Sequence, residues 1–130
     1  MVGILIISHD ELGNSLAQCA THIFGEEPPL LINQGISIHD DPDAIIIKAK
    51  SLIEELDQGD GVLIMTDIIG ATPCNIARQL TQSGRVECLA GMNLPMLVRA
   101  ISYRHEPLST MLEKALTGAR DGIARILPEY

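Results

Sequence analysis

The strongest constraint on this chain is a pair of short, unbroken apolar runs, VGILII at residues 2–7 and VLIM at residues 62–65. Neither alternates polar with apolar, so neither is a strand with one wet face. Both are too short for a helix and read as strands covered on both sides, as in the middle of a parallel sheet. Residues 30–32 and 86–90 (VECLA) supply two further strands.

The spacing between these runs is helical. Leu12, Leu16, Cys19, Ala20 and Ile23 make one apolar stripe. Asp41-Pro42 is an N-cap followed by a first-turn proline, opening a helix through Ile45, Ala49, Ile53 and Leu56 that residues 58–61 (QGDG) end. Thr72-Pro73 repeats that signature and predicts a helix over 74–82, with Thr72 as cap. Leu94-Pro95 opens a short helix, and Pro107 begins a last one through Leu112, Leu116 and Ala119. Residues 123–127 (IARIL) fit either a final turn or a short strand. The order β-α-β-α-β-α-β-α-α implies one α/β domain over 1–130, doubly wound, with a mainly parallel sheet and right-handed crossovers.

Composition narrows the function. Nine basic against seventeen acidic side chains leave a net charge of −8, which argues against nucleic-acid or anionic-membrane partners and fits a basic protein partner. Aromatics are 2% of residues, too few for stacking platforms. Cys19, Cys74 and Cys88 form no CxxC pair and read as reduced thiols, with Cys19 and Cys88 in the core, so a cytoplasmic location is expected. The opening residues have neither a basic n-region nor an apolar span long enough for a signal peptide or membrane helix.

Parallel sheets bind ligands beyond the carboxyl ends of their strands, where strand order reverses. At that rim the reading places Ser8-His9-Asp10, Asn33-Gln34, Thr66-Asp67 and Met92-Asn93. His9 is either an exposed functional imidazole or a structurally bonded rim residue. Asp67 is either a loop cap or the carboxylate that holds one ring nitrogen as N–H, freeing the other lone pair as nucleophile. Gly70, Ala71 and Thr72 form a turn into a helix N-terminus, a common anion site. Neither GxxxxGK[ST] nor GxGxxG occurs, so a transient phosphoryl group is expected rather than a bound nucleotide. His22 and His105 read as surface residues, the latter in a polar bend with Arg104 and Glu106. His39 reads as a loop residue. A metal set of His9, His39 and Asp67 lacks preorganising spacing, and no metal or cofactor is expected.

Three segments together carry a family resemblance: Ser8-His9, then Asp67-Ile68-Ile69-Gly70-Ala71-Thr72-Pro73-Cys74-Asn75, then Gly91-Met92-Asn93-Leu94-Pro95-Met96-Leu97. The chain resembles the enzyme IIA domain of the mannose family of the bacterial phosphoenolpyruvate:sugar phosphotransferase system (PTS), over essentially its whole length. The resemblance implies a four-stranded parallel sheet with helices on both faces. It also implies a C-terminal antiparallel strand, residues 123–127, swapped between subunits of a homodimer.

By the same resemblance, His9 would take phosphate on Nε2 from the phosphocarrier protein HPr and pass it to an enzyme IIB, for sugar uptake or regulation. Asp67 would orient the ring, with Thr72, Gly70 and Ala71 near the phosphate and Ser8, Asp10 and Asn93 around them. Two other readings are a regulatory interaction module without onward transfer and the phosphotransfer subunit of dihydroxyacetone kinase. Asn93-Leu94-Pro95 and residues 72–75 favour the mannose family over the latter. The chain departs from the family where glycine commonly follows the histidine, since Asp10 and Glu11 stand here. Ala71 replaces a second turn glycine, and Cys74 a frequent aromatic. Asp10 is thereby a candidate for tuning phosphorylation towards a slower, signalling role.

Overall fold

The computed structural model describes residues 1–129. Nine elements follow one another: β1 (Gly3–His9), α1 (Leu12–Phe24), β2 (Leu31–Ile36), α2 (Pro42–Leu56), β3 (Val62–Thr66), α3 (Thr72–Leu80), β4 (Val86–Leu89), α4 (Leu94–Ser102) and α5 (Leu108–Asp121). The strands form one parallel sheet in the order β2-β1-β3-β4. The expected doubly wound α/β architecture with helices on both faces is what forms.

Each face of the sheet has its own core. Val2, Ile4, Ile6, Leu63 and Met65 pack with residues of α1, α4 and α5. Leu5, Ile7, Val62, Ile64 and Val86 pack with residues of α2 and α3. Ile4, Leu5, Ile6 and Ile7 are fully buried, which is why β1 reads as continuously apolar. Each contributes roughly 1.5–3 kcal/mol of transfer free energy. Because β1 and β3 are central, their ends lie side by side, Ile7 pairing with Thr66.

Several local expectations are corrected. β2 runs from Leu31 to Ile36, so Asn33 and Gln34 lie inside the strand rather than beyond it. An edge strand is partly exposed along its length and tolerates such polar residues. Leu30 is not in the strand but in a left-handed turn before it, at φ 48°. In α3, Ala71 is the cap and Thr72 the first helical residue, with no side-chain cap bond. On α1 only part of the expected stripe faces inward. Ala20 is buried, whereas Leu12 and Ile23 are exposed, and Cys19 is exposed rather than in the core. Cys88 is partly buried, and burial together with the nearby Cys74 pushes its thiol up to about 12, against a smaller opposing pull from Arg78. Residues 123–127 form neither helix nor strand in this single chain. They leave Ile123, Ile126 and Leu127 exposed.

Arg104 also departs from the polar-bend reading. It is 2% exposed, and its guanidinium donates to the carbonyls of Val2, Pro29 and Leu30. Burial pulls its pKa down to about 10. The Leu30 carbonyl also accepts from Ile4 N–H at 3.0 Å. One buried cation thus ties the strained entry of β2 to the start of β1 from the end of α4. Arg104→Leu strands these carbonyls in the interior, and is expected to cost about 2–4 kcal/mol. Urea denaturation should show the midpoint falling by about 1 M or more; an unchanged midpoint would refute the clamp.

Candidate functional site

Chain reversal positions the site. From β1 the chain crosses to β2 on one side and then to β3 on the other, so the ends of β1 and β3 flank the topological switch point. His9 is the last residue of β1, and Asp67 directly follows β3. Alternation along β1 sends Ile4, Ile6 and Ser8 to the α1 face and Leu5, Ile7 and His9 to the α2/α3 face. Ser8 is fully buried, and its Oγ accepts from Gly13 N–H at 3.0 Å in the first turn of α1. Ser8 therefore caps α1 and lies away from the imidazole.

Asp67 gathers three donors. Its Oδ2 accepts the His9 backbone N–H at 2.8 Å and lies 2.7 Å from His9 Nδ1. Its Oδ1 accepts Ile68 N–H at 2.8 Å. Burial works to raise the Asp67 carboxyl, but the hydrogen bonds from His9 and Ile68 outweigh it and hold it below the usual carboxylate range. An ionised carboxylate only accepts, so Nδ1 carries a proton, and the neutral tautomer this selects is the one with its lone pair on Nε2. The Asp67 side chain is 9% exposed and that of His9 50%. One end of the pair is anchored and the other is open to solvent.

Beside the ring is a cleft of about 500 Å³, walled by His9 and Asp10, by the β2–α2 connection from Ile36 to Pro42 through Ser37, Ile38 and Asp40, and by Thr72 and Pro73 at the start of α3. The starts of α2 and α3, which both line this cleft, differ electrically. The α2 end is capped by Asp41, whose carboxylate accepts from Asp43 N–H, and carries Asp43 in its first turn. The α3 end has neither a side-chain cap nor an acidic first turn. Its first N–H with a backbone acceptor is that of Asn75, bonded to the Ala71 carbonyl. Of these two, the positive end of α3 is thus the unneutralised one. Gly70 enters it at φ 86°, a left-handed conformation that glycine adopts at least cost.

The structure brings His9, Asp67, Asp10 and Thr72 to one rim, with Gly70 and Ala71 in the turn leading to it. Asn93 is committed elsewhere. Its Oδ1 caps α4 by accepting from Met96 N–H at 2.9 Å, and its Nδ2 donates to the Ala119 carbonyl at 3.1 Å. Among the described residues no three His, Cys, Asp or Glu side chains gather as a metal set. Sequence reasoning passed over Ile36, Ser37 and Ile38 as cleft residues. The Asp41-Pro42 cap was the available signal, because it places the start of α2 at this rim.

Comparison with known proteins identifies the family and the fold. Residues 3–116 match the EIIA-man family model, described as PTS system fructose IIA component. A PTS system fructose-specific EIIA component from Bacillus subtilis is 29% identical over 119 residues, spanning 86% of this chain and 77% of that protein. A PTS system mannose-specific EIIAB component from Escherichia coli K12 is 26% identical over 94% of this chain, which spans 38% of the longer protein. The mannose/sorbose specific IIA subunit from Enterococcus faecalis superposes with a TM-score of 0.86 at 20% identity, over 99% of this chain and 98% of that one. A PTS IIA protein associated with a fucose utilization operon in Streptococcus pneumoniae gives 0.81 at 26% identity, over 96% of both chains. No helix among the described residues is long and apolar enough to cross a membrane. With a switch-point histidine, a buried carboxylate behind it and a family match over most of its length, the chain belongs to the mannose-family EIIA components of the sugar phosphotransferase system.

Proposed function

We propose that this chain carries a phosphoryl group on His9 Nε2, taking it from HPr and passing it to an enzyme IIB. In the first step Nε2 attacks the phosphorus of the donor's phosphohistidine. The donor's P–N bond breaks, and its electron pair returns to the donor imidazole as the Nε2–P bond forms. The His9 ring then carries the positive charge, which Asp67 offsets through the Nδ1 proton. Onward transfer is the same displacement with His9 as leaving group. Such a reaction asks for positioning and charge stabilisation more than for covalent help. The first turn of α3 and the Thr72 hydroxyl would receive the equatorial oxygens, with Gly70 and Ala71 shaping the approach.

The observation that carries the assignment is the 2.7 Å contact between Asp67 Oδ2 and Nδ1 of a half-exposed ring. Residues 123–127, exposed and apolar except for Arg125, are proposed as the strand exchanged in a homodimer.

Incubation with phosphoenolpyruvate, enzyme I and HPr should add one acid-labile phosphate to the chain, read by mass spectrometry, and none to His9→Ala. Labelling of His9→Ala to the same extent would overturn the assignment. Phosphate that forms on His9 but reaches no IIB would mark a regulatory module instead.

Asp67→Asn loses the obligate acceptor at Nδ1, so phosphorylation should slow by at least about tenfold. The same carboxylate affects acid stability. Its folded pKa lies below the unfolded value of about 3.9, so its stabilisation is complete above roughly pH 5 and drains away as pH falls through the folded value. Between about pH 5 and pH 3 the urea midpoint of the unmodified chain should fall more steeply than that of Asp67→Asn. Equal slopes would show that Asp67 is not held ionised by folding.

A further inference from the structure

Asp10 occupies a position where the backbone favours glycine. It joins β1 to α1 at φ 45°, one of two non-glycine residues with positive φ among those described. The turn is set by its surroundings. Asp10 N–H donates to the Ile36 carbonyl at 3.0 Å, and the Asp10 carbonyl lies so close over Gly35 that a Cβ there would meet it at 2.3 Å. Aspartate tolerates the left-handed region better than most residues, but glycine would do so at less cost. Asp10 lines the same cleft as His9, Thr72 and Pro73. Asp40 lines that cleft too, and Glu11, Asp41 and Asp43 stand exposed nearby in sequence. An acidic residue therefore shares one cleft with the uncapped start of α3, which favours anions.

Given the phosphoryl-carrier assignment above, on which this rests, we infer that Asp10 is a specificity-determining residue that selects the kind of phosphoryl donor. It disfavours small, free phosphorylated anions and favours a phosphoryl group delivered on a protein face bearing a cation opposite Asp10. The physical reason is one of sign. A small donor brings only negative charge into the cleft, and Asp10 repels it at short range. A carrier protein with a basic contact face brings a compensating charge, so the same carboxylate speeds its encounter and fixes its register, the reverse of the slowing that the sequence alone suggests for Asp10. The net charge of −8 on the chain acts in the same direction at longer range.

The test compares two donors on Asp10→Asn, which keeps the shape and the tolerance of positive φ while removing the charge. Phosphoramidate is the small donor. His9 Nε2 bonds to phosphorus, the P–N bond breaks, and its electron pair leaves as ammonia. Phosphorylated HPr is the protein donor. With phosphoramidate, Asp10→Asn should be labelled on His9 about fivefold faster or more, and with HPr several-fold slower. Both differences should shrink as salt rises from about 0.01 M to 1 M, where the Debye length falls from about 30 Å to 3 Å. Asp10→Gly, which also relaxes the backbone, should follow Asp10→Asn if charge is the cause.

Unchanged rates with both donors, or rates moving in the same direction, would overturn the donor filter while His9 labelling stands. A response of Asp10→Gly without one of Asp10→Asn would assign the effect to the backbone and overturn it too. Absence of His9 labelling with either donor would bring down the carrier assignment and the filter together.

Discussion

One carboxylate sets the geometry of the rim. Asp67 accepts from the backbone of β1, from the ring at its end and from the N–H that follows itself, so it joins two neighbouring strands at the point where the sheet's winding reverses. Without those donors a carboxylate only 9% exposed would be costly to keep charged. The donors keep it ionised, and the ionised group fixes the proton on Nδ1. Tautomer, ring orientation and the exposure of Nε2 then follow from a single placement. In the carrier role proposed above, the place for phosphate oxygens is the uncapped end of α3 rather than a charged side chain.

That division of labour explains why so much could be read from residue order alone. His9 and Asp67 each stand two residues past an uninterrupted apolar run, and such runs are legible because central parallel strands leave no wet face. Proline-bearing helix starts are equally legible, since Asp41-Pro42 and Asn93-Leu94-Pro95 do cap helices. Thr72-Pro73 marks a helix that does form, but over Thr72–Leu80 rather than 74–82 and with its cap one residue earlier. The difference matters, because an uncapped end keeps its donors.

What stayed hidden depended on contacts between distant segments. β2 seemed short because Asn33, Gln34 and Gly35 look like a loop, yet an edge strand can hold them. The α1 stripe looked wider than it is, because periodicity does not say how much of a helix the sheet covers. Arg104 looked like a surface residue. Its burial depends on the carbonyls of Val2, Pro29 and Leu30, more than seventy positions away. No local pattern announces such a clamp.

Asn93 has a consequence for the chain's end. By holding the start of α4 and the Ala119 carbonyl at once, it moors the last turn of α5 to the body of the domain. Gly122 packs against Pro95 so closely that a Cβ would meet the ring at 2.4 Å, and it sits where that mooring stops. Any excursion of the tail must pivot beyond this point, so the tail could trade neighbours while both hydrophobic layers and the histidine's scaffold stay in place.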